Sequence, residues 1–139
     1  MSNRDQIKAG CIVVSESDGR YLLVKNWSSG KWGFAKGHKE PEDADVRATA
    51  IRELHEETLI SIEEKDLGAV WKGASGSKTY YFYVKSISSD VIPKPINPRE
   101  IQATRWFLPS EIAEISRDHV IRDLHMFRNK KKFCNEIKK

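Results

Sequence analysis

Residues 32–60 read WGFAKGHKEPEDADVRATAIRELHEETLI, and this stretch decides the fold. Val46, Ala50 and Leu54 recur every four residues, with Ile51 beside them. That spacing predicts one apolar helical stripe over about 44–58. Asp43 or Asp45 can cap its start, because a short carboxylate accepts from the free backbone N–H groups there. Upstream, Trp32-Gly33-Phe34 is a short apolar segment leading into a polar turn at Lys36-Gly37-His38. On the predicted helix Glu53, Glu56 and Glu57 stand at i, i+3 and i+4, so three carboxylates share a face. Like charges so placed repel by a few tenths of a kcal/mol per pair on an exposed helix. A hard divalent cation removes that repulsion: Mg²⁺ combines one or two carboxylates with phosphates and waters. Arg52, four residues before Glu56, can orient it.

Working outward, residues 7–15 (IKAGCIVVS) are rich in β-branched side chains and read as a strand, with 20–25 (RYLLVK) returning after a Ser-Asp-Gly turn. Residues 67–72 and 78–87 read as strands around a turn at 73–76, and 102–108 as another. A helix is expected from Glu111, after Pro109-Ser110, and a last one over about 118–133, with Val120, Leu124 and Phe127 on one side. Strands and helices interleave without repeats or a domain break. The expectation is one α/β domain over 1–139, an α-β-α sandwich with a mixed β-sheet.

The segment 32–60 resembles the signature of the Nudix hydrolases. That pattern is a glycine, five residues, an acid, seven residues, Arg-Glu, an aliphatic, any residue, Glu-Glu, any residue, a glycine and an aliphatic. Gly37, Arg52, Glu53, Leu54, Glu56, Glu57 and Ile60 supply it here. The interval from Gly37 to Arg52 is one residue longer than usual, so the early acid falls on Asp43 or on nothing. Leu59 stands where the pattern ends in glycine.

The resemblance implies hydrolysis of a nucleoside diphosphate linked to another group, a soluble small-molecule reaction. It implies that Glu53, Glu56 and Glu57 ligate Mg²⁺, for which Mn²⁺ can substitute, with a backbone carbonyl near Gly37. Glu56, or Glu100 on the loop before Trp106, would take the proton of the attacking water. Lys36 and His38 flank Gly37 and are candidates for phosphate contact. Trp32, Tyr81 and Tyr83 are candidates for stacking on a base. The turn Lys36-Gly-His-Lys-Glu-Pro41 is most similar to that of the diadenosine tetraphosphate hydrolase branch. Trp32-Gly-Phe34, Asp45-Val46 and Arg99-Glu-Ile101 are similar to the mRNA-decapping branch, and Glu40-Pro-Glu-Asp43 more weakly to the diphosphoinositol polyphosphate branch. A rival of another class is a non-catalytic nucleotide- or RNA-binding module on the same scaffold, against which the intact glutamate set argues.

Composition sets the remaining expectations. Net charge is +4, and residues 117–139 hold eight Arg or Lys against three acids. That tail reads as a solvated helix or as a contact surface for a polyanion such as RNA. No apolar run reaches the ~20 residues of a membrane span. The start, MSNRDQIK, lacks the apolar core of a secretory signal, and only Cys11 and Cys134 are present, which fits a reducing cytoplasmic setting. Oligomeric state has no signal in the sequence.

Overall fold

A computed structural model of the chain describes residues 6–74 and 77–137. Its elements in order are β1 (Lys8–Val13), β2 (Tyr21–Asn26), β3 (Trp32–Gly33), β4 (Ala35–His38), α1 (Val46–Thr58), β5 (Val70–Lys72), β6 (Thr79–Val84), β7 (Ile101–Phe107), α2 (Pro109–Glu114), α3 (Arg122–Arg128) and α4 (Lys131–Ile137). Two sheets form, ordered β4-β1-β6-β5 and β3-β2-β7. The first is mixed: β1 runs parallel to β6 and antiparallel to β4. Among the described residues no helix is long and apolar enough to cross a membrane.

Strand alternation builds two cores, one on each face of the strands. Ala9, Cys11 and Val13 of β1, Leu22 and Val24 of β2, and Phe82 and Val84 of β6 pack with Ala50 and Leu54 of α1. Their neighbours Ile12, Tyr21, Leu23 and Tyr81 turn the other way and meet Ile112, Leu124, Phe127 and Phe133 of α2, α3 and α4. This is the expected α-β-α sandwich. At ~25 cal/mol per Å² of apolar surface, each fully buried Leu or Ile contributes roughly 2 kcal/mol before chain entropy is set against it. Cys11 is one of these core residues, and its thiol is pushed up to about 12 by burial.

Four differences from the expectation have physical causes. Lys36-Gly37-His38, read as a turn, lies in strand β4, because Ala9 and Gly10 of β1 offer Gly37 and Lys36 an antiparallel partner. The close approach needs a glycine across the pair: a Cβ on Gly10 would lie 2.0 Å from the Ala35 carbonyl oxygen. The strand read over 67–72 is shorter, since Leu67 belongs to a 3₁₀ turn that ends there. The single last helix is a 3₁₀ turn at Arg117–His119 followed by α3 and α4. Between them the Ile121 N–H donates to the Trp32 carbonyl at 2.9 Å, which takes the backbone out of helical pairing. The tail is also more than a solvated surface, because Leu124, Phe127 and Phe133 are buried and Arg128 donates to the carbonyls of Ile112 and Ile115. The turn read at 73–76 and the end of the tail lie partly outside the described residues.

Candidate active site

Asp45 caps α1, its carboxylate accepting from the Ala48 N–H at 2.9 Å. Asp43, the other candidate cap, has a different task. Its two oxygens accept from Arg52 Nε at 3.1 Å and Nη2 at 2.9 Å, and also from the Thr49 hydroxyl and the Glu40 N–H. The extra residue between Gly37 and Arg52 is thus absorbed in the turn, and Asp43 is the acid that anchors the arginine. Planar guanidinium and carboxylate meet two bonds to two. The Arg52 hydrogen bonds hold the Asp43 carboxyl well below the usual carboxylate range.

Arg52 has donors left over. Its Nη2 reaches the His38 carbonyl at 3.0 Å, and its Nη1 reaches Glu53 Oε1 at 3.0 Å and Glu56 Oε1 at 3.2 Å. One side chain therefore ties the turn, the end of β4 and two glutamates together. Glu56 is exposed, whereas Glu53 and Glu57 are 8% and 4% exposed. The three carboxylates do not share one open face. Two of them are turned in against β4.

Gly37 is where they meet the strand. A Cβ there would lie 2.2 Å from the Glu53 carboxylate carbon, so any larger residue would push that carboxylate out of its present place. The Lys36 N–H donates to Glu57 Oε1 at 3.3 Å. Burial, then the charge of Glu56, raise Glu53 to about 6; burial, then Glu53 and Glu100, raise Glu57 to about 9. Two buried carboxylates that repel each other when ionised form an electrostatic deficit that a divalent cation relieves. Among the described residues no group of three or more His, Cys, Asp or Glu side chains is placed to hold a metal ion by itself. The donor set fits a cation that takes one or two carboxylates and completes its shell with phosphate oxygens and water.

The other expected residues divide. Glu100 joins the cluster: its charge acts on both Glu53 and Glu57, and its loop is bonded to the end of α1, Ile96 N–H to the Glu56 carbonyl and Lys94 N–H to the Thr58 carbonyl, both at 2.9 Å. The Lys36 ammonium lies within the fields of Asp123, Glu57 and Glu53 while burial pushes its pKa down. His38 contributes its carbonyl, and its ring is exposed. Tyr81 is not available to a base. It has no exposed surface, stacks on Trp71 and donates its hydroxyl to Asp123. Tyr83 lies in the same layer under α3 and α4, beside Phe127, not with the glutamates of the other layer. Trp32 is half-buried, edge-on to Phe107 at 4.8 Å, and serves as packing.

Sequence reasoning missed Asp123, which accepts from Tyr81 and, at 2.8 Å, from the Ala74 N–H, clipping α3 to the β5–β6 connection. Its only signal was an acid between apolar helix positions. It also passed over Trp27, treated below.

Fold and site together define an α-β-α sandwich in which a carboxylate-bearing helix closes on a strand. The NUDIX domain model matches residues 5–129, and the chain belongs to that family of pyrophosphohydrolases, which act on nucleoside diphosphate-linked substrates and generally use divalent metals. Over 102 residues it is 29% identical to mRNA-decapping enzyme subunit 2 of Arabidopsis thaliana, covering 70% of this chain and 26% of that protein. The chain thus spans about a quarter of the length of the curated relative it matches. A MutT NUDIX hydrolase from Burkholderia pseudomallei superposes with a TM-score of 0.66 at 20% identity, over 91% of this chain and 97% of that one. An Ap4A hydrolase from C. elegans, in a binary complex, does so with 0.60 at 18% identity, over 94% and 92%. At these identities the likeness to both structures is one of fold.

Proposed function

We propose that the chain is a Mg²⁺-dependent hydrolase of a nucleoside polyphosphate, with dinucleoside polyphosphates such as diadenosine tetraphosphate as the leading substrate class. The observation that carries the reading is the pair Glu53 and Glu57, buried against Gly37 and backed by Arg52. Glu53, Glu56 and Glu57 would supply the one or two carboxylates that hold the metal, with the Gly37 carbonyl, and Mn²⁺ could replace Mg²⁺. When bound, the metal supplies charge neutralisation of phosphate oxygens and a water of lowered pKa. The chain's own residues do the rest. Arg52 fixes Glu53 and Glu56, and Asp43 fixes Arg52. Lys36 offers a cation to the phosphates. Glu56 or Glu100 accepts the proton of the attacking water, both being exposed enough to reach it. Phosphoryl transfer asks mainly for positioning and charge stabilisation, which this set provides.

Diadenosine tetraphosphate leads because the turn from Lys36 to Pro41 supports it. Capped RNA is the second reading, favoured by the match to the decapping subunit and by the exposed Lys131 and Lys132 on α4. A panel of nucleotides with Mg²⁺ tests both. Release of nucleotide from diadenosine tetraphosphate, unaffected by Lys131→Ala with Lys132→Ala, is expected. Deleting the tail would be a poor test, since Phe133 is buried and Tyr21 donates to Glu136. Cleavage of capped RNA alone, with a salt slope of binding that drops by roughly 0.7 per lysine removed, would replace the first reading by the second. Hydrolysis of base-free anhydrides only would overturn both.

A further inference from the structure

Trp27 is an exposed tryptophan hydrogen-bonded to the loop that carries Glu100. It follows Asn26 in the β2–β3 connection and is 57% exposed. Exposed tryptophans are ordinarily free to move, but this one is bonded twice to the loop that carries Glu100. Its backbone N–H donates to the Glu100 carbonyl at 3.1 Å, and its indole Nε1–H to the Pro98 carbonyl at 2.9 Å. The same loop is fastened to the end of α1 through the Ile96 and Lys94 amides, one of them on the Glu56 carbonyl. Trp27, Glu100 and the glutamate helix therefore belong to one bonded unit.

Both polar donors of Trp27 are spent within the protein, so what it presents to solvent is apolar ring surface. An apolar ring fixed to the loop of Glu100, beside a cluster of carboxylates, matches a ligand with charge at one end and a planar ring at the other. Ordering it on binding costs little, because its hydrogen bonds have already ordered it. The aromatic side chains of β6, Tyr81 and Tyr83, lie in the opposite layer.

We infer that Trp27 is the platform on which the nucleobase of the substrate stacks while its phosphates lie at Glu53, Glu56 and Glu57. This rests on the nucleotide reading above and adds to it the residue that selects for a base. Selection comes from stacking, which any base can offer, so hydrogen-bond readout of the base is not required.

The experiment compares kcat/KM for diadenosine tetraphosphate with that for a base-free diphosphoinositol polyphosphate, in the wild type, Trp27→Phe and Trp27→Ala, with melting curves showing all three folded. The ratio of nucleotide to base-free turnover should fall about tenfold in Trp27→Ala, through KM, and be largely kept in Trp27→Phe. Tenfold converts to about 1.4 kcal/mol, within the ~1–3 kcal/mol of one stacked base. AMP titrated without metal should quench indole fluorescence in the wild type, and the quench should be mostly lost in Trp27→Phe. A wild type that prefers nucleotides, with an unchanged ratio in Trp27→Ala, overturns the platform and leaves the nucleotide reading standing. A wild type without nucleotide preference overturns both.

Discussion

Replacing Glu57 by Gln should make the metal-free protein more stable near neutral pH while abolishing turnover. Glu57 ionises at about 9 in the folded chain, against 4.5 for a free glutamate, and Glu53 at about 6. Between those values the folded state holds a proton the unfolded state has released. Stability therefore falls as pH rises, by at most about 1.4 kcal/mol per pH unit for one proton. From about pH 6 to about pH 8 Glu57 supplies most of this slope, a loss of roughly 3 kcal/mol. At some 3 °C per kcal/mol for a domain of this size, the wild-type Tm in EDTA should drop by roughly 8 °C over that window. Glutamine keeps the shape and cannot ionise, so its Tm should be nearly flat there. Mg²⁺ competes with the proton, so its stabilising shift should grow with pH in the wild type and vanish in the variant. Thermal melts at several pH values, with EDTA or saturating Mg²⁺, read all of this. Turnover should fall by more than the ~10–100-fold typical of residues that merely support a ligand. A variant that kept the wild-type pH slope or the Mg²⁺ shift would show that Glu57 is neither the buried acid nor the metal ligand argued for.

Three further perturbations follow from named contacts. Glu100→Gln should lower kcat about 10²-fold or more with little change in KM if Glu100 is the base, and an effect under threefold in steady-state kinetics would assign that role to Glu56. Asp43→Asn removes the charged partner of Arg52, a hydrogen-bonded contact worth roughly 1.5–3 kcal/mol, and should lower both Tm and kcat. Because the folded Asp43 carboxyl lies below its unfolded value near 4, its contribution is present above that pH and lost in acid. The wild type should therefore lose stability below about pH 4 more steeply than Asp43→Asn, in acid titrations followed by circular dichroism. Leu59→Gly should raise Tm by a few degrees. Leu59 takes a left-handed φ of 63° at the end of α1, a strain of roughly 1–3 kcal/mol for a residue with a Cβ, which exceeds the ~0.4–1 kcal/mol of added chain entropy.

The glutamate helix was legible because the spacing of Val46, Ala50 and Leu54 is a local signal, as is the i, i+3, i+4 pattern of Glu53, Glu56 and Glu57. What that pattern could not convey was that two of the three are buried. Their burial depends on β4 lying alongside, and β4 was read as a turn because its pairing partner is 30 residues away at Lys8↔His38. Tyr81 and Tyr83 were correctly placed on one face of their strand. Which layer that face meets is a property of α3 and α4, and no local pattern in β6 contains it. Trp27 escaped notice for a related reason: its significance comes from bonds to Pro98 and Glu100, some 70 positions later.

The parallel pairing of β1 with β6 has a consequence for how the molecule comes to exist. Lys8 lies opposite Thr79, so 71 positions separate the partners of the central ladder. On a ribosome, the glutamates, Gly37 and all of α1 are made before the strand that completes their sheet has been synthesised. Closing so long a chain segment before any contact repays its entropy makes for slow folding, and it leaves the apolar residues of β1 uncovered meanwhile. The antiparallel pairing of β1 with β4, only some 24 to 30 positions apart, is available earlier. It joins Ala9 to Gly37 and gives the nascent chain its first long-range contact, at the very strand on which the carboxylates later close.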